Sequence, residues 1–185
     1  RMLASARPQA RDVGLLGDFP FLMQATAGFD GYVMKKMRPE IKAKYGIPGA
    51  IADAFRALMS YRFPVFDVEV DGKPFSVTGA AFVNMSEYAG RHQFVPGARW
   101  DDRKAHVLLY TGRSRLAAAS FGLSLAMGRH HLRNDVTILP AETLTIKPCE
   151  GVYLQADGES WTGSLPVTCR LADDQINVLI PERTR

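Results

Sequence analysis

Residues 65–84 read VFDVEVDGKPFSVTGAAFVN, and this stretch decides the fold class. Apolar and polar residues alternate from Val65 to Val70 and again from Phe75 to Gly79, which is the period of a strand with one buried face. Between the two runs lies Asp71-Gly72, a favoured two-residue loop of β-hairpins. Ala80 to Asn84 then carry little polarity, as in a strand that is buried on both faces. We therefore predict a β-hairpin that continues into a buried strand.

Strand-like runs of similar length recur along the rest of the chain. Near the start, Gly17-Asp18 separates two apolar runs, Val13 to Leu16 and Phe19 to Ala27, and predicts a second hairpin. Strands spaced roughly 8–12 residues apart are typical of a sandwich or a barrel. We predict a mainly β fold with inserted helices, of the β-sandwich class. The later runs are Ala105 to Tyr110, Val136 to Leu139, Thr143 to Lys147, Val152 to Ala156, Leu165 to Arg170 and Ile176 to Ile180.

Three segments have the apolar spacing of amphipathic helices. The first runs from Tyr32 to Met37 and stops before Pro39, and the second runs from Ala50 to Leu58. The third runs from Arg113 to Met127 and ends at Gly128, a common residue at helix C-termini. Apolar stripes at this spacing more often belong to the core than to a ligand pocket. The stripes consist of Ile51, Ala54, Phe55 and Leu58 in the second segment and of Leu116, Ala119, Leu123 and Met127 in the third.

The composition is that of an ordinary soluble globular domain. Of 185 residues, 46% are apolar and 23% are charged, which indicates neither disorder nor a membrane protein. No run approaches the roughly 20 apolar residues that span a bilayer. Cys149 and Cys169 are too few for a disulfide framework, so we expect free thiols and a cytoplasmic location. The net charge of +4 permits an anionic partner, but this modest charge argues against nucleic acid.

A basic cluster is the main charge feature of the first half. It is typical of a solvated helix face, and the functional alternative is a surface for phosphate or anionic lipid. The chain has no glycine-rich phosphate loop, so we expect it not to hold a nucleoside triphosphate unaided. Arg1 precedes the first methionine, and we expect the chain to be part of a longer protein or to carry an added residue. The cluster consists of Lys35, Lys36, Arg38, Lys42 and Lys44.

Two acidic motifs are candidate functional sites. Asp157-Gly158-Glu159 follows the apolar run from Val152 to Ala156. If the strand continues through this motif, Asp157 and Glu159 lie on one face of it. Both carboxylates can then point at one cation or one acidic proton. The alternative is a plain turn, which the local sequence alone favours because Asp-Gly is a common turn pair. Asp101-Asp102, in the long loop from Met85 to Lys104, is either a ligand pair for a hard cation or a solvated turn.

The order of short landmarks along the chain is more informative than any one of them. In this order the chain resembles the C-terminal domain of the diacylglycerol kinase-like lipid kinases, the family of bacterial diacylglycerol kinases, sphingosine kinases and ceramide kinases. The resemblance covers nearly the whole chain. The landmarks are Ala27-Gly28-Phe29-Asp30-Gly31, Lys42 to Gly46, Asp71-Gly72, Val83-Asn84, Pro96-Gly97-Ala98 with Asp101-Asp102, Gly128-Arg129-His130, Asp157-Gly158-Glu159 and Val178-Leu179-Ile180-Pro181.

The resemblance implies one half of a two-domain enzyme that transfers the γ-phosphoryl group of ATP to a lipid hydroxyl. In that family an N-terminal domain carries a Gly-Gly-Asp-Gly-Thr nucleotide loop, and a C-terminal β-sandwich closes the cleft. Residues 1–185 lack such a loop and resemble the second domain alone. The expected cofactors of the complete enzyme are ATP and Mg²⁺, and we expect neither to bind this chain tightly. The expected partners are a lipid substrate, the missing nucleotide-binding domain and the anionic inner face of the membrane, with a homodimer possible through an exposed edge strand.

The resemblance also carries roles to particular positions. It implies that Asp157 is the general base on the acceptor hydroxyl and that Glu159 lies beside it, near nucleotide and metal. It implies a phosphate contact near Lys42 and matches Asp101-Asp102 to an acidic loop that holds a structural Mg²⁺ in some bacterial members. Where that loop has glycine and a further acid, this chain has Arg103 and, three positions later, a histidine. An arginine beside a Mg²⁺ site opposes metal binding electrostatically.

Two other functions fit the same residues. One is a noncatalytic β-sandwich module that binds lipid or an acidic surface, in which Asp157 and Glu159 only form a turn. The other is a phosphotransferase of the NAD kinase type, whose acceptor is a nucleotide. A Gly-Gly-Asp-Gly-Thr loop upstream of this chain would favour a kinase over the noncatalytic module.

Overall fold

Two six-stranded antiparallel sheets form the protein. The structure is a computed structural model that describes residues 6–88 and 92–181. The central sheet has the strand order β11 (Val136–Ala141), β10 (Ala105–Tyr110), β7 (Gly79–Val83), β4 (Gln24–Gly28), β13 (Leu154–Ala156), β14 (Glu159–Trp161). The outer sheet has the order β3 (Phe19–Phe21), β2 (Gly14–Leu16), β15 (Val167–Leu171), β12 (Thr143–Ile146), β5 (Phe66–Val70), β6 (Lys73–Val77).

Two further strand pairs and three helices complete the described ranges. β1 (Ala6–Arg11) pairs with β16 (Ile176–Pro181), and β8 (Glu87–Tyr88) pairs with β9 (His92–Gln93). The helices are α1 (Phe29–Lys36), α2 (Pro39–Ser60) and α3 (Arg115–Ala126), and a 3-10 turn spans His130–Leu132. None of the described helices is long and apolar enough to cross a membrane.

The main core lies between the two sheets. Phe82 and Val107 of the central sheet pack in one buried cluster with Val68 and Ile146 of the outer sheet. On the far face of the central sheet, Val83 and Leu108 join a second cluster with residues 94–98 and α3. Strands β7 and β10 are therefore covered on both faces, which is why they read as apolar runs without alternation. The prediction of a mainly β sandwich with inserted helices is confirmed.

The stretch that decides the fold class forms the predicted elements. β5 and β6 pair across Asp71-Gly72, and both loop residues have positive φ, 48° and 76°. The inward side chains of β5 are Phe66, Val68 and Val70, all buried. The hairpin around Gly17-Asp18 is confirmed as well, through β2 and β3. Strands β1 and β14 were not predicted, because both are polar or short.

Each predicted segment overlaps a helix, but α2 begins at Pro39, eleven residues before the predicted start, and is kinked at Gly46. Helices α2 and α3 also leave their predicted apolar stripes largely exposed. In α2, Ile51 is 63% and Phe55 is 61% exposed, whereas Asp53 and Ala57 are buried. The prediction that this apolar stripe belongs to the core is wrong. The reason is that α2 contacts α1 through its opposite face, where Asp53 accepts hydrogen bonds from Arg38. In α3 the stripe is exposed too, at Leu116, Leu123 and Met127.

Candidate active site

Asp157 and Gly158 form a two-residue hairpin loop at one edge of the central sheet. Ala156 of β13 pairs with Glu159 of β14, and the two loop residues have φ values of 50° and 89°. Positive φ at both positions is the requirement of a type I′ turn, which explains why the sequence here is Asp-Gly. The chain forms the turn that the local sequence favours, and the catalytic roles of Asp157 and Glu159 stay predictions. The expectation that both acids share one face of a continuing strand is wrong, since the chain reverses between them.

The Asp157 carboxylate binds backbone amides of another part of the chain. It accepts hydrogen bonds from the N–H groups of Leu22 at 2.6 Å, Met23 at 2.9 Å and Gln24 at 3.0 Å. The Asp157 N–H in turn donates to the Gln24 carbonyl at 3.0 Å. The side chain thus ties the start of β4 to the loop. A carboxylate has about four acceptor sites, so one site, on Oδ2, has no donor among residues 6–88 and 92–181.

A buried polar network holds the same loop against helix α1. The Gln155 side chain is 2% exposed, and its Nε2 donates to Thr26 Oγ1 at 2.9 Å and to Asp30 Oδ2 at 2.7 Å. Thr26 Oγ1 also donates to Asp30 at 2.8 Å, and Gln155 Oε1 accepts from the Gly158 N–H at 2.7 Å. Both ends of the Gln155 amide are satisfied, which such a buried group requires. The network links the loop to the first turn of α1.

Glu159 supplies a second carboxylate next to the loop. Its side chain is exposed, and it makes no hydrogen bond or ion pair within residues 6–88 and 92–181. All of its acceptor sites therefore remain available to a ligand. Chemically, the hairpin presents one fixed carboxylate with a single open site and one free carboxylate.

The basic cluster takes part in internal contacts where its side chains are described. Lys35 Nζ lies 4.4 Å from the Tyr153 ring centroid, and Arg38 Nη2 lies 2.7 Å from Asp53 Oδ1. Lys42 is in α2, but its side chain lies outside the described residues, as does that of Lys44. The expected phosphate contact of Lys42 stays a prediction.

In the acidic loop, Asp101-Asp102, arginine side chains lie against the carboxylate of Asp101. Asp101 accepts from Arg99 Nε at 2.9 Å and Nη2 at 3.1 Å, and this hydrogen bond lowers the pKa of the Asp101 carboxyl below its usual value. Arg11 Nη1 lies 3.7 Å from the same carboxylate. Asp102 turns elsewhere and accepts from the Lys104 N–H at 3.2 Å.

A fully buried acid lies behind this loop. Asp12 is 0% exposed and accepts from the Arg103 N–H at 2.8 Å and from Arg103 Nη1 at 3.3 Å. Within the described ranges no group of three or more histidine, cysteine or acidic side chains is arranged to hold a metal. The oxygens of Asp101 and Asp12 already accept hydrogen bonds from guanidinium groups, which leaves Asp102 as a single acid and too few free oxygen ligands for a divalent cation. We therefore assign no metal to Asp101 and Asp102.

Comparison with known proteins identifies the fold family. Residues 24–180 match the model of the YegS C-terminal NAD kinase beta sandwich-like domain. The chain belongs to this family. Its membership confirms the resemblance to the C-terminal domain of diacylglycerol kinase-like lipid kinases.

Solved structures resemble this YegS-type domain in fold. Two are described as candidate diacylglycerol kinases from Bacillus anthracis str. Sterne. The first has 19% sequence identity and a TM-score of 0.66, and the match covers 90% of this chain and 54% of that protein. The second has 16% sequence identity and a TM-score of 0.63, and the match covers 90% of this chain and 55% of that protein. A diacylglycerol kinase structure of the same organism has 13% identity and a TM-score of 0.56, covering 92% of this chain and 53% of its own. The chain thus spans about half the length of these proteins. The search of the curated proteins found no match.

Sequence reasoning missed several residues that build the site of this YegS-type domain. Gln155 interrupts an otherwise apolar run, and Asn84, whose Nδ2 donates to the Leu22 carbonyl at 2.8 Å, ends another. A lone polar residue in a buried strand needs partners, so both positions carried a usable signal. No comparable signal marks Leu22 to Gln24, because these residues contribute backbone amides and not side chains.

Proposed function

We propose that this chain is the acceptor-side half of an ATP-dependent lipid kinase. The observation that carries the proposal is the Asp157-Gly158-Glu159 hairpin, which presents a fixed carboxylate with one open acceptor site beside a free one. Membership of the YegS C-terminal domain family supports the class of enzyme. The length of the related structures, about twice that of this chain, supports a second domain that holds the nucleotide.

In the proposed reaction a lipid hydroxyl donates a hydrogen bond to Asp157 Oδ2. The carboxylate takes the hydroxyl proton as the oxygen attacks the γ-phosphorus of MgATP, and ADP leaves. Glu159 would lie beside the phosphates of bound MgATP, where its carboxylate would supply an oxygen ligand for the Mg²⁺ of the substrate. Phosphoryl transfer depends on positioning and charge neutralisation. The hydrogen bonds from backbone N–H groups to Asp157 and the Gln155 network supply the positioning. The chain alone is inactive in this proposal, since the nucleotide and its Mg²⁺ are held by the other domain.

We propose further that α2 rests on an anionic membrane surface. Ile51, Phe55 and Met59 are each at least half exposed along one side of this helix. Arg56 is exposed on the same helix, with its Nη1 3.4 Å from Asp53 Oδ1, and Arg62 is exposed two residues after the helix ends. An exposed apolar stripe flanked by arginines is the pattern of a helix that lies in the interface of an anionic bilayer. An enzyme that phosphorylates a membrane lipid needs such a contact to reach its acceptor.

The direct test is a kinase assay of the full-length protein, meaning the complete product of the gene that encodes this chain. The protein is incubated with radiolabelled ATP and mixed micelles of diacylglycerol, sphingosine or ceramide, or with NAD, and products are separated by thin-layer chromatography. We expect a labelled lipid phosphate. Labelled NADP alone would favour the NAD kinase type, and no product with any acceptor would favour the noncatalytic module.

The membrane contact is tested by sedimentation with vesicles. We expect this chain to bind vesicles containing phosphatidylserine more than neutral ones, and the double variant Ile51→Ser/Phe55→Ser to lose most of that binding. The matched control is Leu116→Ser/Leu123→Ser, which removes the exposed stripe of α3 instead. Equal binding of the α2 variant and the unmodified chain would contradict the proposal.

A further inference from the structure

We propose that Arg103 is a built-in cation that replaces a divalent metal in the acidic loop. In this proposal the loop is independent of Mg²⁺, and the arginine anchors a chain of hydrogen bonds that ends at Asp157. The cation role is separate from the proposed kinase activity. Only the statement that these hydrogen bonds position a catalytic carboxylate, that of Asp157, rests on the proposed function.

The buried carboxylate of Asp12 requires a cation. A fully buried and ionised carboxylate is stable only when it is paired and its acceptor sites are filled. Arg103 supplies a backbone N–H to Oδ2 and its guanidinium to Oδ1, and Gln175 Nε2 donates to Oδ1 at 2.9 Å. The positive charge at this carboxylate thus comes from a side chain of the protein itself.

The backbone of Arg103 supports the same assignment. Its φ is +59°, a left-handed conformation that is unfavourable for residues other than glycine. A glycine would adopt this turn at lower cost but would leave Asp12 without a cation. The backbone N–H would be present in glycine as well, so the contact that depends on arginine is the one from its guanidinium to Asp12 Oδ1.

The neighbouring charges exclude a second cation. Asp101 is paired with Arg99 at 2.9 Å and lies 3.7 Å from Arg11. Three guanidinium groups therefore lie next to Asp101 and Asp12. Their charges repel a divalent ion, and two of them fill the acceptor sites that it would use.

A continuous set of hydrogen bonds leads from Asp12 to Asp157. The Asn84 side chain, 0% exposed, donates through Nδ2 to the Asp12 carbonyl at 2.9 Å and to the Leu22 carbonyl at 2.8 Å. The Asn84 N–H also donates to the Met23 carbonyl at 2.9 Å. The carbonyl side of this segment is thus bound to Asn84, and its amide side is bound to the Asp157 carboxylate. Arg103 is a positioning residue at the far end of this series.

The cation role is tested by thermal unfolding of this chain in EDTA and in millimolar Mg²⁺. We expect the Tm of the unmodified chain to differ by less than about 1 °C between EDTA and Mg²⁺. In EDTA, the Tm of Arg103→Gly should be lower than that of the unmodified chain, and Mg²⁺ should raise it by several degrees. Arg113→Gly, at an exposed arginine outside helices and strands, is the matched control. Strong stabilisation of the unmodified chain by Mg²⁺, or no response of Arg103→Gly, would overturn the proposal.

A second variant covers the case in which Arg103→Gly does not fold. Arg103→Lys keeps a cation at the same position, and we expect its Tm to be as insensitive to Mg²⁺ as that of the unmodified chain. If Arg103→Lys instead gains several degrees from Mg²⁺, the charge of Arg103 is not what the loop needs, and the proposal fails.

The series of hydrogen bonds is tested by the amide NMR signals of Leu22, Met23 and Gln24. We expect all three to shift in Arg103→Gly and to return when Mg²⁺ is added, whereas in Arg113→Gly they stay in place. Unchanged signals in Arg103→Gly would overturn the link to Asp157. Because these measurements need no turnover, their failure is distinguishable from a failure of the proposed kinase activity.

Discussion

Two Asp-Gly hairpins close the edges of the two sheets, and they are built alike. Asp71-Gly72 joins β5 to β6 at the edge of the outer sheet, and Asp157-Gly158 joins β13 to β14 at the edge of the central sheet. In both, the aspartate has positive φ and its N–H donates to a carbonyl of the neighbouring strand. The Asp71 carboxylate accepts from the N–H groups of Glu142 at 3.0 Å and Thr143 at 2.8 Å.

The surroundings of the two hairpins differ. After the glycine comes a lysine, Lys73, in the first hairpin and an acid, Glu159, in the second. Only the second has a buried glutamine, Gln155, that connects its loop to a helix. An aspartate bound to backbone amides is therefore a structural clamp in both hairpins, and any catalytic role must come from what is found only at the second. The first hairpin is a matched control for the second.

The largest difference is expected between Asp157→Asn and Asp71→Asn in the full-length protein. An asparagine cannot take a proton from the acceptor, so we expect Asp157→Asn to lower kcat more than about 100-fold. Each variant replaces an oxygen that accepts amide hydrogens, which costs about 1–3 kcal/mol of unfolding free energy. Asp71→Asn should share that loss while keeping activity within about threefold. The measurements are a lipid kinase assay and urea unfolding. Equal losses of activity in Asp157→Asn and Asp71→Asn would show that Asp157 has only a structural role.

Glu159→Gln should lower activity with almost no effect on the free energy of unfolding. Because this side chain has no partner among the described residues, we expect the unfolding free energy to change by less than about 0.5 kcal/mol. Activity of the full-length protein should fall roughly tenfold, equivalent to about 1.4 kcal/mol of transition-state stabilisation. Glu142→Gln, beside the first hairpin, is the control. Full activity of Glu159→Gln would remove this residue from the site.

Gln155→Leu tests the network that only the second hairpin has. The leucine removes the donors to Thr26 and Asp30 and the acceptor for the Gly158 N–H, and we expect a loss of about 1–3 kcal/mol in urea unfolding. At the first hairpin, Thr143→Val removes only the 3.2 Å hydroxyl contact to Asp71, with an expected loss under about 1 kcal/mol. A larger loss for Thr143→Val than for Gln155→Leu would contradict the expected difference between the two hairpins.

The smallest effect should be the same at both hairpins. Gly72 and Gly158 have φ values of 76° and 89°, and a Cβ at either would meet nothing within 4 Å. Alanine at each therefore costs only its left-handed backbone, about 1 kcal/mol. Gly122, which is helical and equally open, should become more stable as alanine by roughly 0.5–1 kcal/mol. Unequal losses at Gly72 and Gly158 would show that the loops are not equivalent.

The local features of both hairpins could be predicted from the sequence. Alternation identified β5 and β6, and the Asp-Gly pair identified a loop that needs positive φ. At Asp157-Gly158-Glu159 the same signal indicated a turn, and the structure has that turn. The spacing of apolar residues located α2 and α3 but not their buried faces, because a stripe such as Ile51 and Phe55 does not specify what covers it.

The sequence by itself determined most of the longer strands, the positions of the helices, the two Asp-Gly loops and the family. These depend on φ preferences and side-chain periods that act within a few residues. The tertiary structure alone decided that Asp157 binds amides 133 to 135 residues away and that Arg103 meets Asp12 across 91 residues. Such pairs form only when the packed sheets bring distant segments together, and the partners of Asp157 are backbone groups that every residue except proline carries. No residue pattern near Asp157 could therefore have predicted them.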